Sequence, residues 1–265
     1  MKALSLLFTI LIFSVSFPLT AQKPKDETVV LKVLTFNILH GATMNKDFNL
    51  DKLAQVIIES DADLVALQEV DFKTNRAKKY DLVTELAWRC QMQGVFGKAM
   101  DYDGGEYGEG LLSKYSFYKT MKHALPHLED SEPRAALEAI IILPSRDTIS
   151  FIATHLDHLR NDTNRVLQVN EINRIFSNAI YPSILAGDLN DVPNSESINL
   201  LEEFWTPSYQ SSGILASYPS NSPIEKIDYI MYQAAHHWKV INCETICDTI
   251  ASDHCAYLVS LELQK

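Results

Sequence analysis

Asp188 and Asn190 stand two residues apart in Ile184-Leu185-Ala186-Gly187-Asp188-Leu189-Asn190-Asp191-Val192-Pro193. A carboxylate there offers a base or a metal ligand. The carboxamide offers a neutral donor that does not repel a phosphate. The pattern predicts a short buried strand, Ile184 to Ala186, running into a tight polar turn. Gly187 is expected to let the chain bend, and Pro193 to stop it. Alone, the stretch is better read as an Asx-rich turn closing a strand.

The same placement recurs along the chain. Asn37, Glu69, His155, Asp157, Asp188, Asn190, Asp228, Asp253 and His254 all lie where apolar strands are expected to end. Each alone has a plain structural reading: Glu69 as a cap or surface carboxylate, His155 as a core histidine donating to a carbonyl. Asp228 fits least well as inert structure, because a carboxylate inside an apolar strand needs a partner. His254 could supply one. In a layered α/β fold, strand ends meet on one rim, so the set can converge. Carboxylates with an amide suit Mg²⁺, with Mn²⁺ or Ca²⁺ as alternatives. A metal that neutralises phosphoryl oxygens, beside an Asp-oriented imidazole, is the chemistry of phosphoester hydrolysis.

The elements that would position these groups follow from periodicity. Val29 to Ile38 alternates: Val29, Leu31, Val33 and Thr35 on one face, Val30, Lys32, Leu34 and Phe36 on the other. A helix is expected from Asn49, with Leu53, Val56 and Ile57 inward, then a buried strand from Ala62 to Val70. Asp81 to Gln93 reads as a helix. The glycine-dense run from Asp103 to Ser113 reads as a turn entering a strand, with the acidic stretch Asp101 to Glu109 as a solvated loop. Strands follow at Pro133 to Ile142 and Asp147 to His155, then helices at Asn164 to Phe176 and Ser195 to Phe204. The last strands are expected at Lys226 to Met231, at Trp238 to Ile246 and after Ser252. Strands paired mostly without an intervening helix favour an α/β fold of two packed sheets with helices outside, over a doubly wound parallel sheet.

The chain has 265 residues and a formal net charge of -11. This composition does not fit a nucleic-acid-coating surface. Residues 1–21 read as a signal peptide: Lys2, an apolar run from Ala3 to Phe17, and a small-residue cleavage pattern at Leu19-Thr20-Ala21. Its removal takes the net charge to about -12. Residues 22–27 form a polar lead-in, and residues 28–265 read as one domain. No later stretch is apolar and long enough to span a membrane. The expected location is therefore periplasmic or extracellular, and the expected state monomeric. Cys243 and Cys247 are the close pair of four cysteines, Cys90 and Cys255 are expected as core residues, and the pairing stays open.

Five segments then carry a resemblance: Thr35-Phe36-Asn37-Ile38, Gln68-Glu69, Gly187-Asp188-Leu189-Asn190, Ile227-Asp228-Tyr229-Ile230 and Ser252-Asp253-His254. In this order they resemble the signature of the endonuclease/exonuclease/phosphatase superfamily. That group includes abasic-site endonucleases, pancreatic-type deoxyribonucleases, inositol polyphosphate 5-phosphatases and bacterial sphingomyelinases. The resemblance implies a four-layer sandwich of two β-sheets flanked by helices, and a divalent metal. It implies Glu69 as main metal ligand, with Asn37 beside it and Asp253 assisting. Asp188 would position or deprotonate the attacking water, Asn190 would hold the phosphate or nucleophile, and His254, oriented by Asp228, would contact the phosphate. His155, in Thr154-His155-Leu156-Asp157-His158, matches a form seen in sphingomyelinase-like and phosphatase-like members. Similarity to small secreted bacterial members adds Arg76, Tyr107, Arg134 and Asp157 as substrate contacts. Such members commonly carry Asn or a small residue where this chain has Glu109.

The leading expectation is a metal-dependent phosphodiesterase or phosphatase acting on a lipid head group or small phosphoester. An extracellular nuclease is the alternative; nucleic acid is not favoured, because Lys73, Lys78 and Lys79 make no strong basic stripe. A catalytically inactive binding module is a third reading, opposed by the intact set of polar residues.

Overall fold

The alternation starting at Val29 becomes β1 (Val29–Asn37), which pairs parallel with β2 (Leu64–Phe72) through α1 (Leu50–Ser60). These coordinates are a computed structural model describing residues 29–210, 213–233, 235 and 238–264. The signal peptide and polar lead-in expected at residues 1–27 lie outside the described residues. Asn49 caps α1 by accepting the Lys52 N–H at 3.1 Å, and Asp61 ends it in a left-handed conformation.

The same strand–helix–strand unit appears again as β7 (Thr148–His155), α3 (Thr163–Phe176) and β8 (Ser183–Asp188), also parallel. Around each unit a six-stranded sheet is completed by antiparallel neighbours. The first adds β3 (Gln93–Tyr102), β4 (Gly105–Ser113), β11 (Trp238–Ile246) and β12 (Ala256–Leu263) in the order β11-β12-β1-β2-β4-β3. The second adds β5 (Phe117–Leu125), β6 (Arg134–Ile142), β9 (Trp205–Pro207) and β10 (Asp228–Gln233) in the order β5-β6-β7-β8-β10-β9. Helices α2 (Leu82–Cys90) and α4 (Glu196–Glu202) complete the described α-helices.

Three apolar layers explain the stacking. Leu31, Val33, Ala66, Phe151 and Ile184 fill the space between the sheets. Leu34, Phe36 and Val65 face the other way, against Leu53, Ile57 and Leu86 of α1 and α2. Ile152 and Leu185 pack likewise on Val169, Ile172 and Leu201 of α3 and α4. The faces expected for β1 are those observed. Each of these side chains larger than alanine contributes about 1.5–3 kcal/mol on burial. Two sheets with helices on both outer faces form the α/β sandwich expected from the sequence.

Several local expectations are corrected. Gly187 is not a bend; it lies within β8 beside Thr154 of β7. A Cβ there would sit 2.0 Å from the Thr154 carbonyl oxygen, so close strand packing is what requires glycine. The run from Asp101 to Glu109 is not a solvated loop. It is the β3–β4 hairpin, and Glu109 is fully buried. Strands β3 and β5, at the sheet edges, were not anticipated. Cys255 is not a free core residue, because it forms a disulfide with Cys247, while Cys243 and Cys90 are free.

Candidate active site

Each parallel pair delivers polar residues at its carboxyl end. In the first, Asn37 of β1 is level with Gln68 of β2, and Glu69 follows. In the second, His155 of β7 is level with Asp188 of β8, and Asp228 of β10 pairs with Asp188 from the other side. The packing of the sheets brings both rims to one cavity of about 490 Å³. Its lining includes Glu69, His155, Asp188, Asn190, Asp253 and His254.

Glu69 needs a local distortion to reach this cavity. The β2–β4 register shifts between Leu67 and Val70, and Glu69 takes φ +56°. A bulge with a left-handed non-glycine residue is costly backbone of the kind found at functional sites. Glu69 accepts from Asn37 Nδ2 at 3.2 Å and from His40 Nδ1 at 3.3 Å. Burial opposes its charge, but the His40 and Asn37 hydrogen bonds draw the carboxyl below its ordinary range. A quarter of its side chain stays exposed.

Asn37 also donates to Asp188 Oδ2 at 3.1 Å, and its Oδ1 accepts from Leu39 N–H at 3.1 Å. Asn37, expected as a metal ligand, presents its amide donor to both carboxylates and orients them. Burial, reinforced by Asp228 against the pull of His254, raises Asp188 to about 7.

His254 is held from two sides. Its backbone N–H donates to Ser252 Oγ at 3.1 Å, and Ser252 Oγ donates to the Asn37 carbonyl at 2.7 Å. Its Nδ1 donates to Asp228 Oδ2 at 3.0 Å, leaving Nε2 3.6 Å from Asp188 Oδ2. Burial works against its charge, but Asp228 and Asp188 outweigh burial and raise the imidazole to about 10. The buried carboxylate that needed a partner has one.

His155 Nε2 stands 3.6 Å from the same Asp188 oxygen. Burial and the Arg134 guanidinium push this imidazole well below its ordinary range. Asn190, in a left-handed conformation at φ +50°, donates its N–H to Asp188 Oδ1 at 3.0 Å and its Nδ2 to the Leu156 carbonyl at 3.0 Å. Asp253 is half-buried at the cavity wall.

The expected substrate contacts fare unequally. Arg76 lines the cavity, paired through Nε and Nη2 with the buried Asp71 at 2.7 and 2.8 Å, and stacked over Tyr102 and Tyr107. Tyr107 also lines it. Arg134 lines it too but is 2% exposed, and its Nη groups go to His155, His158 and Glu132. Asp157 does not line the cavity. It is buried, accepting from Leu159 N–H at 2.8 Å and Asn164 Nδ2 at 3.2 Å, so it fixes the loop after β7. That expectation is corrected: a buried carboxylate two residues beyond a strand end turned inward to accept from one backbone N–H and one side-chain amide.

Sequence reasoning missed His40, Asp71, Tyr102 and Tyr218, all at or just behind the wall. His40 was within reach, three residues past Asn37 in the same strand-end loop. Asp71 was hidden by the bulge at Glu69, which breaks the alternation of β2.

The trio Asp188, Asp228 and His254 could hold an ion, with ligand atoms within 4.8 Å of one another. A protonated His254 already supplies the positive charge there. Glu69, ionised and open to the cavity, is the better fit for a hard divalent cation.

Solved structures share this architecture. An endonuclease/exonuclease/phosphatase from Bacteroides vulgatus matches with TM-score 0.73 and 22% identity, over 89% of this chain and 100% of its own. A functionally unknown conserved protein from Enterococcus faecalis matches with TM-score 0.74 and 22% identity, over 88% and 100%. A mannosyl-6-phosphatase from Bacteroides thetaiotaomicron matches with TM-score 0.66 and 17% identity, over 87% and 99%. At these identities the likeness is one of fold. The match to a family model spans residues 34–254, from just before Asn37 to His254: the chain belongs to the endonuclease/exonuclease/phosphatase family.

Proposed function

We propose that this protein is a divalent-metal-dependent phosphoester hydrolase, acting after export as a phosphodiesterase or phosphatase on a lipid head group or small phosphoester. The observation that carries this reading is one cavity holding an ionised Glu69, an Asp188 raised to about 7 and a His254 raised to about 10. That is a metal anchor, a base matched to neutral pH and a cationic donor.

Glu69, assisted by Asp253, would hold Mg²⁺. When bound, the ion would supply positive charge to the phosphoryl oxygens and the leaving group. Asp188 receives the proton of the attacking water. Asn190, whose N–H fixes Asp188 Oδ1, keeps that carboxylate aimed. His254 donates from Nε2 to the phosphoryl group as negative charge grows, and Asp228 keeps it protonated. The wall also carries Glu132 and Glu225 beside two arginines, one of them paired with Asp71. This balance suits a single phosphate group over a polyanion such as DNA. The Cys247–Cys255 disulfide accords with an oxidising compartment, and a neighbouring fold belongs to a mannosyl-6-phosphatase.

The test is hydrolysis of bis-p-nitrophenyl phosphate, sphingomyelin, an inositol phosphate, a sugar phosphate and plasmid DNA with Mg²⁺, Mn²⁺, Ca²⁺ or EDTA. Metal-dependent turnover of a lipid or small ester, lost in Glu69→Gln and His254→Ala, is the expected result. Preferential DNA cleavage, or no turnover with any metal, would overturn it.

A further inference from the structure

The two histidines beside Asp188 are held by partners of opposite charge. His254 Nδ1 faces a carboxylate, Asp228 Oδ2, at 3.0 Å. His155 Nδ1 faces a guanidinium nitrogen, Arg134 Nη1, at 3.1 Å. Arginine has donors only and keeps its proton at any ordinary pH. The bond at His155 therefore requires a lone pair on Nδ1. An imidazole accepting at Nδ1 is neutral and carries its proton on Nε2, the nitrogen that points to the Asp188 oxygen 3.6 Å away.

Arg134 is itself immobilised. It lies at the start of β6, with Nη2 bonded to Glu132 at 2.9 Å and to His158 Nδ1 at 3.3 Å. Glu109, fully buried and with neither oxygen hydrogen-bonded, lies nearby, but burial pushes its carboxyl up to about 8, so the pairing of the guanidinium rests on Glu132 and the two imidazoles. Substrate contact is the lesser use of a side chain this enclosed.

We propose that Arg134 is a positioning residue that locks His155 as a neutral imidazole donating from Nε2. His155 then acts neither as a base nor as an acid that gives up its proton. It is a fixed neutral donor on one side of the phosphoryl position, opposite the cationic donor His254. Neutrality matters because a second imidazolium would draw the Asp188 proton-accepting value down, weakening it as a base. Burial and the Arg134 charge, which hold His155 well below its ordinary range, act in the same direction.

The tautomer is independent of the hydrolase reading; the kinetic arm below rests on it. The experiment is a long-range ¹H–¹⁵N correlation spectrum of the His155 ring in the metal-free protein, from about pH 5 to about pH 9. The expected result is an unprotonated Nδ1 and a protonated Nε2 throughout. Arg134→Gln offers an amide that can accept as well as donate, so Nδ1 should take up a proton and His155 should titrate nearer 6.5. Arg134→Lys restores a donor-only partner and should restore the tautomer. In turnover, Arg134→Gln should lower kcat by about tenfold or more with little change in KM, and Arg134→Lys should recover part of it. The proposal falls if wild-type His155 carries its proton on Nδ1 or titrates near 6.5. It also falls if Arg134→Gln loses turnover with the tautomer unchanged. Should no phosphoester be turned over by the wild type, the hydrolase reading fails, and the spectrum still decides the role of Arg134.

Discussion

Asn37 Nδ2 donates to Asp188 Oδ2 at 3.1 Å, joining the ends of β1 and β8 across 151 residues of sequence. The same nitrogen serves Glu69, so one amide links the residue proposed to anchor the metal to the proposed base. Asn37→Ala should weaken Mg²⁺ binding about 10- to 100-fold, the usual range for a residue that orients a ligand. Isothermal titration with Mg²⁺ against Glu69→Gln measures this. Unchanged affinity would mean Asn37 serves the fold alone.

Asp228→Asn removes the carboxylate that keeps His254 charged. With the folded-state value raised to about 10 from 6.5, the ion pair stabilises the protein fully below about 6.5. That stability is lost as pH rises through about 10. Activity that needs imidazolium should follow the same alkaline limb, with the acid limb set near 7 by Asp188. In Asp228→Asn the alkaline limb should move down toward neutrality, and kcat near pH 7 should fall about 10²-fold. A pH–rate profile with its alkaline limb unmoved would show that Asp228 does not govern this proton.

Gly187→Ala places a methyl group against the Thr154 carbonyl, and backbone cannot yield as a side chain can. Destabilisation of about 1–3 kcal/mol is expected from such overpacking. Because Asp188 is the next residue, kcat should fall as well. Urea unfolding gives the first quantity; an unshifted midpoint would contradict the close approach.

Reduction of Cys247–Cys255, or the double change to serine, should cost about 2–3 kcal/mol. The loop it closes carries Asp253 and His254, so turnover should drop before the protein unfolds. Equal activity with and without reductant would separate the disulfide from the site.

The site was more legible than its frame. Asn37, Glu69, His155 and Asp188 could be found because each follows an apolar run, and His254 because it stands just before one; the edges of such runs are visible in sequence. Strands β3 and β5 were not, because each of these edge strands has a single fully buried residue. β5 sets exposed Thr120, Lys122 and Ala124 against half-buried Met121 and His123, and owes its form to pairing with β6. The burial of Asp157, Glu109 and Arg134 was equally hidden. A charged residue in a polar stretch reads as solvated, and only the approach of the two sheets encloses it.

The doubled strand–helix–strand unit has one more consequence. Each half satisfies its own backbone pairing, yet neither holds a complete set of reacting groups. Turnover is thus a gauge of whether the halves are docked, not only of whether they are folded. Under mild denaturant, a slight parting of the sheets would silence the proposed activity while the circular dichroism stayed nearly native. Inactivation would precede melting.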